Sequence, residues 1–215
     1  MALQQECGGP DVCRAIRQEL STPAHGTALV DAAVAAFGRL DCLVANHGVW
    51  PSHDQPINSM TDEQWHSTVG INLSSVFGLV RAAVARMQHQ RPLNAVAGRH
   101  IVLVSSTAGQ RGEAFHADYA ATKGALISMT KGLATELAAE RIYVNCVAPG
   151  WVRTDMSEST LQNPDTSNRV FRTIPLGRVA TPDEIAGPIL FLCTPWAGFI
   201  TGEVFNVNGG AVLVG

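Results

Sequence analysis

The sequence predicts an α/β protein, a doubly wound and mostly parallel sheet of Rossmann type in one domain over residues 1–215. Three observations predict it. Short apolar, β-branched runs such as Ile101-Val-Leu-Val-Ser105 alternate with stretches of helical period. Those runs are apolar on both faces, as strands are when helices cover the sheet on each side. Apolar residues make up 46% of the 215-residue chain and charged residues 15%, which suits one domain with a large buried core.

Each element has its own signal. Val12 to Arg17 is a candidate strand. Pro23 to Phe37 is helical, with Leu29, Ala33, Val34 and Phe37 on one face, and stops near Gly38. Leu40 to Ala45 is an apolar strand, and Trp50 to Met60 a polar, proline-rich loop. Thr61-Asp-Glu-Gln64 is a capping box that opens a helix to about Gln90. A loop over Arg91 to Gly98 leads into the strand ending at Ser105. A helix follows from Ala117 to Arg141, then a strand from Tyr143 to Ala148. Thr181-Pro-Asp-Glu184 is a second capping box, with proline at the first helical position, and its helix runs to about Cys193. Glu203 to Val207 is the last strand.

Composition excludes several classes. A net charge of −3 offers no electrostatic case for nucleic acid or acidic membranes. Cys7, Cys13, Cys42, Cys146 and Cys193 are scattered and contain no Cys-x-x-Cys pair, a reduced, cytoplasmic pattern rather than a disulfide framework or zinc site. No signal peptide and no uninterrupted apolar run of membrane-spanning length is evident.

The chemistry concentrates at Ser106, Tyr119 and Lys123. Tyr119 and Lys123, four apart on a helix, project together. Leu126, Leu133 and Leu137 fall within about 40° of Tyr119 on the same helix, so the pair continues an inward, apolar side. An ammonium there costs energy unless it has a partner or a task. A free phenol ionises near pH ~10, too high for efficient proton transfer at neutral pH. A nearby cation favours the phenolate, and Lys123 is placed to supply one. Ser106 can donate a hydrogen bond to a carbonyl or alcohol oxygen and stabilise charge developing there.

With these residues in view the chain resembles the short-chain dehydrogenase/reductase family from about Asp11 to its C-terminus. The resemblance rests on six pieces in order. These are Asn46-His47-Gly48 after an apolar strand, Asn72 in Ile71-Asn72-Leu73, Ser106, Tyr119-x-x-x-Lys123, Pro149-Gly150-Trp-Val-Arg-Thr154, and Phe199-Ile-Thr-Gly202 with Asn208-Gly-Gly210. It implies an oxidoreductase using NAD or NADP to move hydride between the nicotinamide and a ketone or secondary alcohol. The 3-oxoacyl-acyl-carrier-protein reductase branch, acting on 3-oxoacyl thioesters, is the narrower resemblance. Tyr119 would be the general acid in reduction and the base in oxidation. Lys123 would lower its pKa and hold the nicotinamide ribose, and Ser106 would hold the substrate oxygen. Asn72 reads on its own as a kink or network residue within an apolar helical stripe; the family role is to hold a water in the proton relay from the lysine.

The resemblance also assigns a cofactor wall to Asn46, Gly48, Pro149, Gly150 and Thr154, beside Tyr119 and Lys123. Each has a plainer reading: Asn46-His47-Gly48 as a turn, Pro149-Gly150 as a strand terminator. His47 departs from the commoner alanine and reads as a polar lining residue, with no second ligand spaced for a metal. His116 is either a residue of the substrate mouth or a solvated loop histidine. Trp151 and Trp196 read as packing or surface residues. The segment from about Asp155 to Ala180 corresponds to the family's variable substrate flap, and its Ser, Thr, Asn and Asp content suggests mobility. A homo-oligomer, dimer or tetramer, is implied through the helices near 61–90 and 117–141.

One family element has no counterpart. The loop Thr-Gly-x-x-x-Gly-x-Gly, which cradles the pyrophosphate at a helix N-terminus, is not found, and Gly8-Gly9-Pro10 has neither its spacing nor a preceding strand. The chain is therefore expected to start inside the family's second helix, without its first two strands, about 40 residues by βαβ lengths. In the family's sheet order 3-2-1-4-5-6-7 that would leave the Leu40–Ala45 strand as an apolar edge. The Val12 segment is expected to shift beside it through a right-handed crossover. The alternative is that the sequence omits part of a longer protein. Two functions remain open on the residues: an active oxidoreductase, or a silent scaffold with the catalytic residues but impaired cofactor binding.

Overall fold

Among the described residues four short parallel strands form the sheet, and the two inner ones are buried almost throughout. The computed structural model describes residues 5–91 and 98–214, so most of the loop expected over Arg91–Gly98 lies outside the described residues. The strands are β1 (Cys42–Ala45), β2 (Arg99–Val104), β3 (Ile142–Pro149) and β4 (Val204–Val207), in the order β1-β2-β3-β4. Every neighbouring pair is parallel, with Val44 opposite Val102, Val102 opposite Asn145 and Val147 opposite Phe205. All of β2 is buried, as a central strand of a covered sheet should be.

Helices cover both faces. Helix α1 (Pro23–Phe37) ends on Gly38 in left-handed backbone, the residue type that tolerates it. Next come α2 (Asp62–Val69), a π-helical turn (Gly70–Ser74) and α3 (Ser75–His89). After β2 stand α4 (Thr107–Arg111) and α5 (Ala117–Leu137). After β3 come α6 (Asp155–Gln162), α7 (Pro164–Arg172) and α8 (Pro182–Leu192). The segment expected to be a flap is thus built as two short capped helices.

One core joins α3 and α5 to the sheet through Val76, Val80, Met87, Leu126 and Leu137 against Ala45, Ile101, Leu103 and Val144. The opposite face packs Ile185 and Leu192 of α8 against Val102 and Val147. A third cluster, Val30 with Leu79 and Ala83, docks α1 on the outer side of α3. There the helices meet backbone to backbone: a Cβ on Gly78 would lie 2.6 Å from the Pro23 carbonyl carbon, and one on Gly26 would lie 2.8 Å from the Ser75 carbonyl oxygen. The helical run Asp62–His89, 28 residues that include an 18-residue stretch of mean hydropathy 1.4, is long and apolar enough by composition to cross a membrane, yet its apolar side lies in these cores.

Two expectations are corrected. Residues 12–17 form no strand and do not pair with β1. Val12 is 68% exposed, and its amide turns back to the Gly9 carbonyl at 3.2 Å. Arg14, Arg17 and Glu19 punctuate the segment, so it has no apolar face to bury; Leu20 alone packs, on the α1–α3 cluster. The outward residues of β1 stay accessible, with Val44 41% exposed. The Thr61 capping box is half made. Thr61 Oγ1 accepts from the Gln64 amide at 3.2 Å, but the Gln64 side chain donates to Asp118 at 3.1 Å instead of returning to the cap. The Thr181–Glu184 box is complete.

Candidate active site

The carboxyl ends of β1, β2 and β3 open on one side of the sheet, where parallel α/β folds bind ligands. β2 delivers Ser105 and Ser106. Ser105 Oγ donates to the Lys123 carbonyl at 2.7 Å and ties α5 to the strand. Ser106 caps α4, its Oγ accepting from the Ala108 amide at 3.1 Å.

Tyr119 stands half-buried in the first turn of α5, its phenol beside the Ser106 hydroxyl. Burial pushes the phenol up, the Ser106 hydrogen bond pulls it down, and the Glu113 carboxylate pushes it up again, for a net rise. Lys123 lies one turn on and is 4% exposed. Its Nζ donates to the Val104 carbonyl at 2.9 Å and sits 5.7 Å from the Tyr119 ring centre. Burial brings the ammonium down to about 8. The expected lowering of the phenol by Lys123 is not found: burial is the largest influence on Tyr119, and Ser106, not Lys123, is the group that pulls it down.

Asn72 falls in the π-helical turn between α2 and α3 and is fully buried. Such turns insert one residue into a helix and recur at functional positions. Its amide accepts from the Val49 N–H at 2.8 Å, donates to the Val49 carbonyl at 2.9 Å, and reaches Thr122 Oγ1 at 3.4 Å. These bonds are the network that a buried asparagine amide needs. Gly48 passes between Asn72 and Lys123: a Cβ there would lie 3.2 Å from Asn72 Oδ1 and 3.3 Å from Lys123 Nζ.

His47 Nε2 lies 2.6 Å from Ser75 Oγ, which itself donates to the Ile71 carbonyl at 2.7 Å. Burial, and then the Lys123 charge, hold the imidazole below its usual range. Asn46 is exposed at the end of β1. Pro149 and Gly150 close β3, with the Gly150 amide donating to the Val207 carbonyl at 3.1 Å, and Thr154 caps α6. Among the described residues no group of three or more His, Cys, Asp or Glu side chains is placed to hold a metal.

Two neighbours of the site escaped the sequence reading. Trp50 stacks on His116 at 3.9 Å and 20°, and meets the Tyr119 ring edge-on at 4.7 Å and 72°. It directly follows the Asn46–Val49 turn, but no helical or strand period connects it to Tyr119. Asp118 is fully buried and accepts from Thr68 Oγ1 at 2.8 Å and Gln64 Nε2 at 3.1 Å, with the Tyr119 amide on its other oxygen at 2.8 Å. Its position before Tyr119 was the available signal. His116, left open between mouth and solvent, is 3% exposed and belongs to the wall of the site.

The donor set fits the nicotinamide end of a dinucleotide. Gly48, without a Cβ, lies against Lys123 Nζ and Asn72 Oδ1, and Asn46, Tyr119 and Thr154 carry polar groups on the segments that follow β1, β2 and β3.

The chain is similar to known proteins over most of its length. A family model described as enoyl-(acyl carrier protein) reductase matches residues 2–212. The 3-oxoacyl-acyl-carrier-protein reductase FabG of Escherichia coli is 37% identical over 195 residues, 91% of this chain and 76% of that protein. The Chlamydia muridarum protein of the same name is 36% identical over 184 residues, 86% of this chain and 70% of that one. A Brucella melitensis crystal structure, named as a short-chain dehydrogenase/reductase of glucose/ribitol dehydrogenase type, superposes with a TM-score of 0.86 at 36% identity, covering 99% of this chain and 82% of its own. A gluconate 5-dehydrogenase from Burkholderia cenocepacia, solved with NADP and tartrate, gives 0.80 at 28% identity over 89% of this chain and 72% of its own.

Proposed function

The chain belongs to the short-chain dehydrogenase/reductase family, and from that premise we propose that it is an NAD(P)-dependent oxidoreductase whose chemistry is carried by Ser106, Tyr119, Lys123 and Asn72. A bound nicotinamide dinucleotide supplies or accepts the hydride. The observation that carries the proposal is the convergence of a phenol on a serine hydroxyl above a buried ammonium. In reduction Ser106 donates a hydrogen bond to the substrate carbonyl oxygen, and the Tyr119 O–H gives that oxygen its proton. The phenolate left behind faces the Lys123 cation, and Asn72 holds the Gly48–Val49 backbone beside Lys123 Nζ. Oxidation of an alcohol runs the same steps backwards, with Tyr119 as base.

The substrate class we favour is a 3-oxoacyl thioester or similar small ketone, supported by the FabG relatives. A homo-oligomer and a cytoplasmic location belong to the same reading. Phe77 and Trp65, apolar and partly exposed on α3 and α2, support the first, and five free cysteines the second.

Fluorescence titration with NADH and NADPH, followed by turnover on a ketone panel, tests the proposal. Binding of either nucleotide is expected, with Tyr119→Phe keeping that binding while turnover drops by about 100- to 10,000-fold. A folded chain that binds neither nucleotide would instead be a scaffold.

A further inference from the structure

We infer that Trp50 is a positioning residue for Tyr119, an aromatic stop that fixes the phenol ring from a seat built by His116 and Asn72. The inference rests on the reading of Tyr119 as the proton-transferring group.

The core does not hold the Tyr119 ring by itself, since the residue is half-buried in a first helical turn. Lys123 lies against the ring from its own helix, and the Trp50 indole meets it edge-on at 4.7 Å. Edge-to-face packing is directional, so it limits ring rotation as well as position.

Trp50 could not do this from a loose loop, and its loop is anchored three ways. The preceding residue, Val49, is held through both its N–H and its carbonyl by the Asn72 amide. The indole lies flat on His116, whose Nε2 is 3.1 Å from the Pro51 carbonyl and whose Nδ1 is 3.9 Å from an Asp54 carboxylate oxygen. The Gln55 amide donates to the Phe115 carbonyl at 2.9 Å, joining this loop to the one before α5. Phe115 is a non-glycine residue at φ 64°, a backbone that persists only where its surroundings determine it. Residues 49–55 and 112–116 therefore form one braced wall, and Trp50 is the part that touches Tyr119. The ionisable groups around the phenol are Lys123 from α5, Glu113 from the preceding loop, and His116 with Asp54 behind the indole; Ser106 adds a hydroxyl from the end of β2.

The full chain with Trp50→Ala, and with Trp50→Phe as the conservative control, tests this. Melting by circular dichroism establishes folding, and ultraviolet titration reads the phenol, with Tyr119→Phe correcting for Tyr143. With Trp50→Ala, kcat is expected to fall about 10- to 100-fold while KM moves less than about threefold. The phenol is expected to titrate at lower pH as water reaches it. Trp50→Phe should restore most of kcat. A folded Trp50→Ala protein with wild-type kcat and titration overturns the inference, as does a Trp50→Phe protein equally impaired. Should Trp50→Ala not fold, Trp50→Leu takes its place with the same two outcomes. A wild-type chain inactive on every ketone refutes the proton-transfer reading of Tyr119; positioning is then decided by titration alone, an unmoved phenol overturning it.

Discussion

Lys123 shows how a single residue can be costly to the fold and still useful to the site. Its ammonium has left water for a place where it keeps one carbonyl partner, Val104, and burial lowers it from 10.5 to about 8. The unfolded chain therefore holds this proton more tightly than the folded one between those values, and stability rises with pH across that window. Below about pH 8 the full cost applies, about 3 kcal/mol at ~1.36 kcal/mol per pKa unit. Lys123→Met should thus stabilise the protein at pH 7 by about 1–2 kcal/mol, after the loss of the Val104 hydrogen bond, while removing activity. The advantage should fade as pH rises from 8 towards 10.5. Urea denaturation at pH 7 and pH 10 measures both; equal gains at the two values would refute the burial account. The Tyr-x-x-x-Lys spacing was legible in the chain because four residues make one helical turn. The Val104 partner was not, since it is nineteen residues away on a strand.

At the scale of elements, two glycines of helices act in opposite senses. Gly78 in α3 sits where α1 crosses, and an added methyl would run into the Pro23 backbone. Gly132 lies exposed in α5 with nothing within 4 Å of an added Cβ. Gly78→Ala is expected to destabilise by about 1–3 kcal/mol through forced separation of the helices. Gly132→Ala is expected to stabilise by about 0.5–1 kcal/mol through helix propensity alone. Thermal or urea melts of the two variants check the opposite signs. Helix starts were readable where capping chemistry is local, as at Thr181. At Thr61 the local rule met a competitor: Gln64 found the buried Asp118 carboxylate, and a buried carboxylate needs donors more than an exposed cap does. The Val12 segment failed as a strand for a related reason, because strand residues need a face to bury and its charged neighbours leave none.

Over the whole molecule, β1 and β4 are the two edge strands of the sheet among the described residues, and Val44 of β1 is exposed. Accessible apolar strand edges invite pairing between chains. Val44→Lys is expected to slow aggregation on heating, seen by light scattering, while shifting stability by no more than about 0.5 kcal/mol. Unchanged scattering would mean that aggregation begins elsewhere. The sequence by itself determined the class of fold, the order of the four strands of the sheet and its longer helices, and the one-turn spacing of Tyr119 and Lys123, because periodicity, capping and helical spacing are short-range rules. Only the tertiary structure decided that the Val12 segment stays out of the sheet, that Asn72 clamps Val49, and that Trp50 leans on Tyr119. The last two outcomes depend on contacts between residues 23 and 69 positions apart, where competition for buried space and hydrogen-bond partners, not local preference, selects the pairing.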